Sequence, residues 1–177
     1  MRCSSASARN RALTGVTDLP VAPAVLAAAA GATIAGVERI GRGGNSRVYR
    51  LRCEDGRELT AKFYRGRTAA GRDRLEAESS ASEFLWKQGV RCIPRLLETD
   101  VAHKFALYEY IAGTGIDAGA IGTEELDQVA AFAGRLRRLG ALPEGRAWPE
   151  AADASLAPDA IVRQIEERLA HFKDVTG

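Results

Sequence analysis

The stretch Gly41-Arg-Gly-Gly-Asn-Ser46, with Val48 two residues on, is a glycine loop carrying a serine in its third fixed place. At Gly41, Gly43 and Gly44 there is no Cβ, so backbone N–H groups can close on an anion, with Asn45 and Ser46 ending the loop. That chemistry suits a phosphate. The same string also occurs as an ordinary turn, so its neighbours have to decide. A dinucleotide loop needs a helix directly after the glycines, to rest pyrophosphate on the helix N-terminus. Here Val48, Tyr49 and Leu51 continue a β-rich run instead. A Walker loop needs Gly-Lys-Ser/Thr, which does not follow. What remains is strand, glycine flap, strand, an order in which the loop covers phosphates from above.

Lys62 stands on the strand that returns after an Asp55-Gly56 turn. Thr60 and Lys62 share one face of that strand, and Leu59, Ala61 and Phe63 share the other. The apolar face predicts packing on a helix. The other face presents an ammonium beneath the flap, where it would pair with the α and β phosphates of a nucleotide. A solvated strand lysine is the plainer alternative. Such a lysine needs a carboxylate to hold it, and Glu76, Glu78 and Glu83 follow on a helical stretch. Leu75, Ser79, Ser82, Leu85 and Trp86 fall near one another at spacings of three and four, and if Leu85 and Trp86 face the core, Glu78 falls near the same side. It is the first choice as partner, with Glu76 second and a surface charge as the alternative for either.

The elements that must place these groups follow from periodicity and turn signals. Asp18 caps a short alanine-rich helix ending near Gly31. Strands are expected over 33–40, 47–53 and 58–64, the last two forming a hairpin. A helix over 72–88 is stopped by Gly89, and two more strands cover 93–100 and 104–111. Thr123 caps a helix running to about Leu139, with Glu124 and Glu125 in its first turn. A proline-rich loop around Pro143 and Pro149 leads to a last amphipathic helix over 158–172. The fold class is α+β, a small antiparallel sheet carrying one helix and then an all-helical part. Residues 1–17 read as a disordered tail, 18–113 as the sheet-bearing lobe, and 114–177 as the start of a helical lobe.

Bulk properties narrow the function classes. The 177 residues suffice for a buried core, at 46% hydrophobic and 27% charged. A net charge of +2 is too small to argue for nucleic acid or an anionic membrane surface. The apolar run over 21–35 is mostly alanine and is interrupted by Pro23, Gly31 and Thr33, so no membrane span is expected. Cys3, Cys53 and Cys92 are widely spaced and form no CxxC pair, and His103 and His171 complete a poor set for a metal site. Reduced thiols in a cytoplasmic protein are expected.

Gly41-Arg-Gly-Gly-Asn-Ser-Arg-Val-Tyr49, Ala61-Lys-Phe-Tyr64, Glu78 to Trp86 and Gly89 to Pro94 together resemble the amino-terminal lobe of aminoglycoside phosphotransferase and choline kinase-like proteins. Tyr108-Glu-Tyr-Ile-Ala-Gly113 resembles their hinge segment. The resemblance implies a protein-kinase-like lobe, followed by an incomplete carboxyl-terminal lobe, with ATP and magnesium bound between lobes. It implies that Lys62 contacts the α and β phosphates and Glu78 orients it. Tyr108 would back the adenine pocket, and the backbone of Glu109 and Ile111 would meet the adenine edge. The acceptor would be a small-molecule hydroxyl, of an aminoglycoside, choline or amino sugar.

The sequence departs from that family at one place that matters. Members carry a catalytic base and metal ligands as His-x-Asp, a following Asn and a further Asp, and phosphoryl transfer depends on them. His103 is followed by Lys104 and Phe105, and His171 by Phe172 and Lys173. Asp153, Asp159 and Asp174 stand singly. No catalytic or metal-ligating residue is therefore assigned, and the chain reads as a truncated product or gene fragment that binds nucleotide without turnover. The alternative is a kinase-like interaction module that associates through an exposed lobe interface.

Overall fold

The computed structural model describes residues 18–41, 46–65, 73–146, 161–163, 165, 166 and 169. The chain divides into two units, residues 1–116 and 117–177. In the first, α1 (Pro23–Ala30) precedes β1 (Ile34–Arg39), β2 (Ser46–Cys53) and β3 (Glu58–Tyr64). Then come α2 (Arg74–Lys87), β4 (Leu96–Asp100) and β5 (Phe105–Glu109). The strands form a five-stranded sheet in the order β1-β2-β3-β5-β4, antiparallel at every pairing. The α+β class expected from the sequence is what the chain adopts.

The two faces of this sheet are dressed differently. Tyr49 and Leu51 of β2, Leu59, Ala61 and Phe63 of β3, and Phe105 and Leu107 of β5 all point to one side. There they close on Leu26 and Ala30 of α1. The Phe63 ring lies 5.1 Å from that of Phe105 and edge-on to Tyr49 at 5.7 Å. Burying each such ring stabilises the fold by about 2–3 kcal/mol, so this layer is the sheet's main anchor. On the other side Tyr64, Ala106 and Tyr108 meet Leu75 of α2, with Leu96 packed beside them. The apolar face of β3 thus packs on α1, while α2 lies on the face that carries Lys62.

Several local expectations are corrected. Asp18 does not cap α1, whose N-cap is Ala22 with no side-chain bond and whose first residue is Pro23. The Asp18 carboxylate instead holds Arg39 and Arg47, each at 2.9 Å, and its carbonyl accepts from Tyr49 Oη at 2.6 Å. Pro at the first helical position needs no cap for a missing N–H, which frees Asp18 for this role. Gly31 does end α1 in a left-handed conformation, at φ 59°. Helix α2 starts at Arg74, capped by Asp73, whose carboxylate accepts from the Leu75 and Glu76 N–H groups. Its buried residues, Leu75 and Ser79, lie on the face expected from the sequence, while Leu85 and Trp86 on that face are only partly buried. Trp86 is drawn off by its own partners: its Nε1 donates to Pro94 O at 3.1 Å, and Arg91 stacks on its ring at 4.1 Å. The strand expected from 93 begins at Leu96, and β5 ends at Glu109, two residues before Ile111.

In the second unit a 3-10 turn (Ala118–Ala120) precedes α3 (Thr123–Gly140) and the short α4 (Pro143–Arg146). Thr123 opens α3 but is not its cap. The N-cap is Gly122, whose N–H donates to the Glu125 carboxylate at 2.8 Å. Pro143 begins a helical turn where a loop was expected. Residues 161–163, 165, 166 and 169 are helical. The tail at 1–17, Pro149 and the remaining parts of the expected last helix lie outside the described residues. No described helix is long and apolar enough to cross a membrane.

Candidate functional site

Register sets the site. Across β2 and β3, Ser46 faces Tyr64, Val48 faces Lys62 and Arg50 faces Thr60. Across β3 and β5, Lys62 faces Ala106 and Thr60 faces Tyr108. Alternation then puts Ser46, Val48, Arg50, Thr60, Lys62, Tyr64, Ala106 and Tyr108 on one face. This face carries the chemistry, and α2 lies along part of it.

The Lys62 ammonium lies 2.6 and 2.7 Å from the two carboxylate oxygens of Glu78. Glu78, not Glu76, is its partner. Glu78 follows Leu75 by three residues and precedes Ser82 by four, so it shares the sheet-facing side of α2. The Lys62 and Glu78 side chains are 26% and 40% exposed. An ion pair in contact with water to this degree contributes only about 0–1 kcal/mol. Stability is therefore a weak reason for it. Orientation of an ammonium is a better one.

The Lys62 Nζ also lies 5.2 Å from the centre of the Tyr64 ring. Tyr64 Oη is 2.9 Å from Tyr108 Oη, and both tyrosines are buried. Burial, above all, raises both phenols, Tyr64 well above its ordinary range; for Tyr64 the Tyr108 hydroxyl and the Glu78 charge act in the same direction. Both remain neutral hydroxyls at any working pH, able to donate and to accept.

The entrance to the glycine loop is tight. Ile40 and Gly41 both donate their N–H groups to Val48 O, at 2.9 and 3.2 Å. A Cβ at Gly41 would stand 2.9 Å from Val48 Cβ and 3.0 Å from its Cγ2. Here the absence of a side chain is a steric requirement. Gly43, Gly44 and Asn45 lie outside the described residues, while Ser46 begins β2. Glu109 donates its N–H to Arg95 O at 2.9 Å. Ile111 is exposed beyond the end of β5.

Arg50, Tyr64 and Ala106 share the Lys62 face with Thr60, and of the four only Thr60 was put there by the sequence alone. Arg50 donates to both Glu58 oxygens at 2.7 and 2.8 Å and stacks on the Tyr110 ring at 4.3 Å. The strand parity that found Thr60 could have found Tyr64. Placing Ala106 and Arg50 needed the cross-strand register. For ATP the residues present fit: a side-chain-free approach at Gly41 and an ammonium fixed by a carboxylate suit a nucleotide's phosphates. For magnesium, no group of three His, Cys, Asp or Glu among the described residues could hold an ion. His103 sits in the β4–β5 hairpin with its Nδ1 2.8 Å from the Asp100 carboxylate. His171, Asp153, Asp159 and Asp174 lie outside the described residues.

The phosphotransferase enzyme family matches the chain over residues 36–175. A crystal structure described as a fructosamine-3-kinase from Thermobifida fusca YX-ER1 is similar at 18% identity and a TM-score of 0.44. The likeness covers 56% of this chain and 34% of that one, so the chain spans about a third of that protein's length. No curated protein matches.

Proposed function

This chain belongs to the phosphotransferase enzyme family, and we propose that it supplies the ATP-binding part of a small-molecule kinase. The observation that carries the proposal is the Lys62–Glu78 pair at 2.6 Å on the sheet face that Gly41 approaches without a Cβ. In this reading the glycine loop, from Gly41 through Gly43, Gly44 and Asn45 to Ser46, covers the phosphates. Val48 closes on the base. Lys62 binds the α and β phosphates and Glu78 keeps the ammonium aimed at them. Tyr108 backs the adenine, and the Glu109 carbonyl and the Ile111 N–H meet its edge. Magnesium, bound with the nucleotide, would neutralise charge developing on the transferred phosphoryl group.

The acceptor is a small-molecule hydroxyl, of the aminoglycoside, choline or amino-sugar kind. Cys53 and Cys92 are free thiols, which supports a reducing, cytoplasmic setting. The test is a melting curve with and without ATP. A ligand at a hundred times its Kd adds about 2.7 kcal/mol, enough to raise Tm by roughly 5–10 °C in a chain of this size. The wild-type chain should show that rise and Lys62→Ala should lose most of it. No rise in the wild-type chain removes the nucleotide site.

A further inference from the structure

We propose that Tyr64 is a positioning residue for Lys62: its ring supports the ammonium beside the Glu78 carboxylate, and its hydroxyl is locked by Tyr108. This rests on the nucleotide-site reading above and assigns a role to a residue outside it.

The geometry is specific. Lys62 and Tyr64 alternate on the same face of β3, so their side chains run side by side. The ammonium has two attractive groups within reach, the Glu78 carboxylate at 2.6 Å and the Tyr64 ring at 5.2 Å to its centre. An ammonium over an aromatic face is drawn to the ring quadrupole, more strongly as water is excluded. The ring can act this way only if it cannot rotate away. The Oη–Oη bond of 2.9 Å to Tyr108 prevents that, and it reaches from β3 to β5, two adjacent strands. The Tyr64 N–H donates to Lys104 O at 2.9 Å, which fixes the end of the strand as well. Tyr64 also faces Ser46 across the sheet, where the glycine loop rejoins β2. One residue thus meets the lysine and the residue behind the base through its side chain, and the strand that carries the glycine loop through its backbone pairing. A carboxylate alone would let the ammonium swing about a single partner; the ring limits that swing.

The experiment compares Kd for ATP and for adenosine, by titration calorimetry on the full chain. Tyr64→Phe keeps the ring and loses the bond to Tyr108. Its Kd for ATP should rise roughly three- to tenfold, the scale of one lost hydrogen bond. Its Kd for adenosine, which lacks phosphates, should stay within twofold. Tyr64→Leu, which also loses the ring, should weaken ATP further with adenosine again unchanged. Equal weakening of ATP and adenosine in Tyr64→Phe would mean general loosening of the fold and would overturn the proposal. So would unchanged ATP binding. A wild-type chain that binds ATP no better than adenosine would instead remove the phosphate site itself, and this role with it.

Discussion

Asp73 shows how much one carboxylate does in this chain. It caps α2, and it also pairs with Lys104 at 2.6 Å, tying that helix to the β4–β5 hairpin. The Lys104 hydrogen bond, first, and the backbone N–H groups of Leu75 and Glu76 hold its carboxyl below the ordinary range. Asp100 is lowered too, chiefly by the His103 backbone N–H. A carboxyl depressed in the folded state contributes stability above its unfolded value, about 3.9, and loses it as pH falls through the folded value. Acid unfolding should therefore steepen below about pH 4. Asp73→Asn, which can still cap, should flatten that part of the profile. Asp73→Ala should also lose about 1 kcal/mol at neutral pH through the missing cap. Chemical denaturation of both variants at pH 7 and pH 3 checks this; identical pH profiles for wild type and Asp73→Asn would contradict it. The pairing with Lys104 was not legible in the sequence, because it joins groups whose proximity depends on the hairpin. Lys62 with Glu78 was legible, because strand parity and helix spacing constrain both partners locally.

At the scale of elements, the flap is held from behind. Asp18 bonds Arg39 at the end of β1 and Arg47 at the start of β2, the two strands that flank the glycine loop. Each pair is exposed by nearly a third or more, so each contributes about 0–1 kcal/mol. Removing the carboxylate also leaves two guanidinium groups facing each other. Asp18→Ala should lower Tm by a few degrees, roughly 2–4 °C per kcal/mol lost in a chain of this size. High salt should shrink the difference, because exposed charges are screened. A difference that does not respond to salt would contradict an electrostatic clamp. The strands themselves were readable from alternation, and β3 was placed at its observed bounds, 58–64. Helix starts were less so: Asp18 and Thr123 look like caps by residue type, yet Pro23 and the Glu125 carboxylate settle the two starts otherwise. The face of α2 was readable from the three- and four-residue spacing that begins at Leu75 and Ser79, both buried, although Trp86 is only partly buried because it finds partners at Pro94 and Arg91.

For the whole molecule, the family match extends over residues 36–175 while the chain spans 34% of the similar crystal structure's length. Binding and transfer place different demands on a phosphotransferase. Binding needs the flap, the lysine and a surface for the base. Transfer also needs a base for the acceptor hydroxyl and carboxylates for the metal. The sequence has no His-x-Asp. The proposal is that this chain binds ATP without moving its γ-phosphate to an aminoglycoside, choline or amino sugar. A radiolabel transfer assay checks this, and turnover above a Lys62→Ala control would contradict it.

The central claim is a nucleotide-phosphate site built around Lys62. Calorimetric titration of ATP and of adenosine into the wild-type chain and Lys62→Ala tests it most directly. An ammonium on a phosphate is a charge-assisted contact worth about 1.5–3 kcal/mol. The account predicts that Lys62→Ala weakens ATP roughly ten- to a hundredfold and leaves adenosine within twofold. Equal affinity of the two proteins for ATP would contradict it.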